Sequence, residues 1–212
     1  VLRIALVAVV ALLSCSKREP AQHVNLDLIR IVGDARMRTD TVGEGQFAEQ
    51  SSFVLVDAEN TSETGAYVTL GGAFTDASGA AVGALKPQSL WVPPKEARTF
   101  ALVDGERKPR PTATSAKIEV RGALIATPPR AKIVDLHTFD DNGKIVAQAT
   151  LVNDSDRIGR VIVIASFHGK DDRPMTRPFS LIEIGANQKQ NVQFVGPQGS
   201  VRGTIYVGDE TY

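Results

Sequence analysis

Apolar and polar residues alternate with a period of two along most of this chain, and the alternation is written twice. Phe100 and Leu102 alternate with Thr99 and Ala101, and Ile118 and Val120 with Lys117, Glu119 and Arg121. A period of two belongs to strands with one face buried; an amphipathic helix would repeat near 3.6. The same reading makes Val24, Leu26 and Leu28 a strand beside Asn25 and Asp27. Asn60 and Asn153, Ser62 and Ser155, and Phe74 and Phe167 each lie 93 residues apart. The offset becomes 92 for Val92 with Ile184 and Leu102 with Phe194, then 87 for Ile118 with Ile205. A constant offset broken by small indels is the mark of a diverged duplication. Lys108-Pro109-Arg110-Pro111 fits as the first copy's insertion.

Each copy holds about six or seven short runs separated by turn residues, the pattern of an immunoglobulin-like sandwich. Prolines at 87, 93, 94, 109, 111, 128 and 129 exclude long helices from the intervening stretches. The expected fold class is therefore all-β, with two tandem sandwiches, one over 23–127 and one over 128–212. Pro128-Pro129 is the expected stiff junction.

The beginning of the chain is different. Arg3 is followed by ten apolar residues, Ile4 to Leu13, and then by Ser14 and Cys15. Ten residues of helix reach about 15 Å, half of a bilayer core, so this is a targeting segment rather than a span. Leu12-Leu13-Ser14-Cys15 resembles the lipobox of bacterial lipoproteins. The resemblance implies a signal peptide over 1–14, cleaved before Cys15, and a lipidated tether over 15–22. It implies a diacylglyceryl thioether and an N-acyl chain on Cys15, and hence a membrane partner. Two or more acyl chains hold firmly where one does not. Ser16 rather than Asp follows the Cys, which in Gram-negative lipoproteins leans toward the outer membrane.

A second resemblance rests on the repeated turns. Asn153-Asp154-Ser155, the strand Val161 to Phe167 and the strand ending at Phe194 are similar to the FxLYD-type domains of bacterial envelope proteins. Asn60-Thr61-Ser62, Phe74-Thr75-Asp76 and Phe100 repeat the pattern. Phe167-His168-Gly169 departs from it by lacking a Tyr-Asp pair, and Gly185-Ala186-Asn187 stands where Pro-Gly is usual. The resemblance implies a non-catalytic envelope module.

Residue chemistry agrees with that expectation. Lys and Arg number 24 and Asp and Glu number 24, which leaves no net basic charge to recruit nucleic acid. One cysteine allows neither an intrachain disulfide nor a thiolate zinc cluster. His23, His137 and His168 have no ligand spacing and are expected to be solvated or half-buried. Asp140-Asp141-Asn142-Gly143 reads as a hairpin turn rather than a calcium loop, and Gly71-Gly72 as a bulge or a close approach. Neither a Gly-x-Ser-x-Gly nucleophile turn nor a phosphate-cradling loop occurs. No catalytic residue, metal site, cofactor or small-molecule ligand is expected. The repeat pairs Leu90 with Ile182 and Val92 with Ile184, so Trp91, the only tryptophan, points away from the core. It lies either against the other domain or a covering loop, or at an interface with an envelope protein partner. The expected role is binding or assembly at the cell envelope; a structural spacer and a hydrolase with a loop-built site are the rivals.

Overall fold

The structure, a computed structural model, describes residues 21–43 and 45–211. The expected signal peptide, the lipobox residues Leu12, Leu13, Ser14 and Cys15, and the tether up to residue 20 lie outside the described residues. The fold is all-β, two sandwiches in tandem. Among the described residues the only helical elements are short 3-10 turns at Leu26–Leu28 and Gly45–Phe47. No helix among them is long and apolar enough to cross a membrane.

The first sandwich comprises β1 (Ile29–Val42), β2 (Glu49–Asn60), β3 (Ala66–Thr75), β4 (Ala81–Val92), β5 (Glu96–Val103) and β6 (Ser115–Leu124). One sheet has the order β1-β2-β5 and the other β4-β3-β6. The second comprises β7 (Ala131–Asp141), β8 (Lys144–Asn153), β9 (Gly159–His168), β10 (Pro174–Thr176), β11 (Phe179–Ile184), β12 (Lys189–Gln198) and β13 (Arg202–Thr211). Here one sheet runs β7-β8-β12, and in the other β9 lies between β13 and the pair β10 and β11. The two topologies match strand for strand once β10 and β11 are taken as one strand interrupted at Arg177-Pro178, where the proline can donate no ladder bond.

The duplication extends to individual bonds. Asn60 and Asn153 are both buried, and each side-chain amide donates to the carbonyl of the facing strand's last residue, Val92 at 3.2 Å and Ile184 at 3.4 Å. Each amide oxygen accepts from the backbone two residues on, at Ser62 and Ser155. Gly72 pairs with Ile118 as Ala165 pairs with Ile205, which is the 87-residue offset in register form. Buried Asn-x-Ser turns are therefore structural, because a buried amide left without partners would be strongly unfavourable.

Local expectations fare unevenly. Asn142 (φ 53°) and Gly143 (φ 82°) form the hairpin between β7 and β8, as Asn-Gly dictates. At Gly72 (φ 148°) the β3–β4 register shifts, and a Cβ would meet the Lys117 carbonyl oxygen at 2.0 Å. The strand expected through Leu26 and Leu28 is instead a 3-10 turn. Asn25 caps it by accepting from Asp27 N at 3.1 Å, and both leucines are exposed. Asn prefers such local bonds to a ladder, and only Val24 of that run is buried.

The sandwiches are not beads on a stiff connector. Val161, Val163, Ala165 and Phe167 of β9 fill the second core. On its opposite face Ile164, joined by Tyr206 of β13, belongs to the first core. A strand buried on both faces loses its alternation and reads as a continuous apolar run, which Val161-Ile162-Val163-Ile164-Ala165 is. Each valine or isoleucine of that run, fully buried, contributes about 1.5–3 kcal/mol. Around this contact, Arg36 pairs with Asp171 at 3.0 Å, Arg173 pairs with Asp34, and Arg38 donates to the Met175 carbonyl at 2.8 Å.

Candidate binding surfaces

Burial of β9 on both faces places His168 on the side that meets the first sandwich, and the expectation of a solvated or half-buried histidine is corrected. His168 Nε2 donates to Asp57 Oδ2 at 2.7 Å, with side chains only 2% and 9% exposed. The other Asp57 oxygen accepts from Thr99 Oγ1 at 2.5 Å. The Thr99 carbonyl in turn accepts from Tyr206 O–H at 2.6 Å and Arg177 Nε at 2.7 Å. The network is charge-assisted and closed off from solvent, so it docks the two units rather than presenting a reactive group. His137 stays exposed, with its ring nitrogens 3.1 Å from the Asp135 carbonyl and 2.9 Å from Gln148 Oε1. His23 is exposed and bridges to Leu124. Among the described residues no group of three or more His, Cys, Asp or Glu is placed to hold a metal ion.

Trp91 has the orientation that the repeat demands. Leu90 and Val92 are buried in the first core, while Trp91 between them is half-buried on the outer side. It packs edge-on against Tyr67, its cross-strand partner, with ring centroids 5.4 Å apart. Its ring also fills the space over Gly65, where a Cβ would lie 2.3 Å from the indole. At the corresponding positions of the second sandwich stand Arg160 and Glu183, cross-strand partners joined by an ion pair at 3.5 Å. One copy thus carries an aromatic pair where the other carries opposite charges.

Trp91 of that pair borders a cleft of about 370 Å³ whose walls come from both sandwiches and from the junction: Trp91 and Arg98, Pro128 and Pro129, Lys132 and Leu136. Arg98 lies over the Tyr206 ring, 5.1 Å from its centroid, and is paired with Glu96 at 2.7 Å. Burial, then the carboxylates of Glu210 and Asp209, push the Tyr67 phenol above its ordinary pKa, so it remains a neutral donor at physiological pH. Aromatic rings, prolines and an arginine around a shallow cleft form a surface suited to gripping another molecule.

Sequence reasoning singled out Trp91, read His168 as solvated or half-buried, and gave no role to Asp57, Thr99 or Tyr206. The usable signal was the five-residue apolar run of β9, which contrasts with the clean alternation of β3.

No family model matches this chain, and no curated protein matches it. Among solved structures it is matched to the N-terminal CBM22-1-CBM22-2 tandem domain from Paenibacillus barcinonensis Xyn10C, at 7% identity over 85% of each chain and a TM-score of 0.15. At that score the likeness carries no argument about this chain's ligand, and the all-β tandem architecture stands on the strand topology itself.

Proposed function

We propose that this chain is a cell-envelope lipoprotein, held to the outer membrane through lipid on Cys15, whose paired sandwiches bind an envelope protein without catalysis. The observation that carries the binding half is Trp91. A tryptophan occupies the outer face of β4, in a cleft built from both units, where the duplicate unit carries a salt bridge. An aromatic kept half in water at a cleft rim is typical of an interface anchor. The membrane half rests on the lipobox resemblance and on the acyl-chain arithmetic.

Two measurements test the reading. The chain expressed in a Gram-negative host should carry acyl mass on Cys15 and partition into detergent, and Cys15→Ala should abolish both. A photocrosslinking residue at position 91 should capture a discrete envelope protein in intact cells, whereas one at Lys189, exposed at the start of β12, should not. Absence of acyl mass removes the anchor; equal capture from both positions removes the Trp91 site. The buried Asp57–His168 contact favours one further reading, a rigid spacer of fixed length, which predicts no capture at position 91.

A further inference from the structure

Among the described residues, the first sandwich is closed along one margin and open along the other. Between β4 and β5, Leu85 bridges to Asp104 and Gly105 N donates to the Ala84 carbonyl at 2.8 Å. β1 and β6 are the terminal strands of their sheets on the opposite margin. Its upper part is covered by residues 22–24, where Val24 N donates to the Ala123 carbonyl and Ile125 N to the Gln22 carbonyl, both at 2.9 Å. Below that point no strand among the described residues pairs with the outer edge of β6. The opening there is a groove of about 1060 Å³, with Ile31, Met37, Val54 and Ile118 in its walls and Arg36, Arg38 and Arg173 at its rim.

The second sandwich shows what a covered margin looks like. Ile205 and Val207 of β13 are 4% and 8% exposed. Their equivalents in β6, Ile118 and Val120, are only half-buried, as is Met37 across the groove. The cause lies in β1. Its register slips between Val32 and Arg36, one residue more than the matching slip between Val134 and His137 in β7. The bulge begins at Gly33 (φ 67°) and is held outward by Asp34 on Arg173 and Arg36 on Asp171. Those ion pairs tie the bulged part of β1 to the second sandwich.

We propose that this margin is a strand-addition site for an extended, acidic peptide segment of a partner protein. The segment pairs its backbone with residues 115–120 of β6, lays alternate apolar side chains over Ile118 and Met37, and sets a carboxylate against Arg38. Six residues of strand span about 20 Å, and an unpaired edge supplies the backbone bonds that such binding needs. The carboxylate follows from charge: Arg36 and Arg173 are paired with aspartates, while Arg38 donates to the neutral Met175 carbonyl. The chain's own residues 22–24 already use this edge higher up, antiparallel to β6, with Gln22 opposite Ile125 and Val24 opposite Ala123. This inference rests on the reading of a non-catalytic binding module but not on the membrane anchor.

The test uses the full chain in detergent and a labelled peptide, Thr-Val-Asp-Val-Thr-Val-Thr, followed by fluorescence anisotropy and by hydrogen exchange. Saturable binding is expected, with slowed exchange of amides in 115–120. Lys in place of the peptide's Asp should weaken binding about tenfold, and Arg38→Glu should reverse that preference. Alternate N-methylation of the peptide, which removes strand donors, should abolish binding. Four results overturn the proposal: no saturable binding, binding indifferent to Arg38→Glu, protection on β11 instead, or protection of 115–120 before peptide is added. The last would assign the groove to the chain's own residues 1–20, or, if it follows a dimer mass, to a second copy. None of these bears on acylation of Cys15 or on capture at position 91, so the two readings fail separately.

Discussion

His168 and Asp57 stand 111 residues apart in the chain and meet at 2.7 Å between the two sandwiches, where neither is open to water. A buried carboxylate held by an imidazole N–H and a hydroxyl is a directional lock: it fixes one docking geometry, whereas the apolar contact of Ile164 and Tyr206 would tolerate several. It joins two units that each possess a core of their own.

Breaking the lock should therefore split the unfolding transition. In urea, the native chain is expected to unfold as one unit by both Trp91 fluorescence and far-UV dichroism. Asp57→Ala leaves the His168 ring buried without its acceptor and should cost about 3 kcal/mol. The two probes should then separate, and an Asp57→Ala/His168→Ala double variant should be less damaged than the sum of the singles. Strict additivity, with both probes still coincident, would show that the pair does not couple the units.

The loop after β5 predicts an acid-sensitive step. Burial alone would raise the Asp104 carboxyl, but the bond from Arg110 at 2.6 Å and the N–H groups of Lys108 and Glu106 outweigh it and hold it below its ordinary value. A carboxyl depressed in the folded state stabilises above its unfolded pKa, about 3.9, and that contribution disappears as pH falls through the lower folded value. Asp104→Asn should lose about 3 kcal/mol at pH 7 and show a flatter stability curve below pH about 4. The readout is the urea midpoint measured from pH 2 to 7. Parallel curves for the two proteins would contradict the assignment.

Gly72 should resist substitution. An added methyl meets the Lys117 carbonyl oxygen at 2.0 Å, a backbone atom that cannot swing away, and φ is 148°. Gly72→Ala is expected to cost more than about 2 kcal/mol, whereas Gly79→Ala, with nothing within 4 Å of the new carbon, bears only the strain of its φ of 83°, about 1 kcal/mol. Thermal unfolding of both variants ranks them, and equal losses would refute the close approach.

Trp91 should behave as a rim residue rather than a core residue. Trp91→Ala is expected to destabilise by about 1–2 kcal/mol, below the 3–5 kcal/mol typical of a fully buried tryptophan. Because it is the only tryptophan, acrylamide quenching of the native chain reports on it directly. Partial quenching is expected; complete protection would place the indole inside the core and break the register that pairs it with Glu183.

By itself the sequence determined the all-β class, the duplication with its 93, 92 and 87 offsets, the Asn142-Gly143 hairpin and the outward side of Trp91. All of these follow from rules that act within a few residues: the period of a strand, the φ that a turn requires, the spacing of repeated turns. The tertiary structure alone decided that β9 is buried on both faces, that His168 and Asp57 pair, and that no strand among the described residues joins β1 to β6. Those outcomes depend on which face of one sandwich meets the other. Residues more than a hundred positions apart settle that choice by fitting side chains and satisfying buried charge, and no local period records it. Even the apolar run of β9 signals only that a second cover exists; Asp57, Thr99 and Tyr206 are visible as that cover once both sheets are in place.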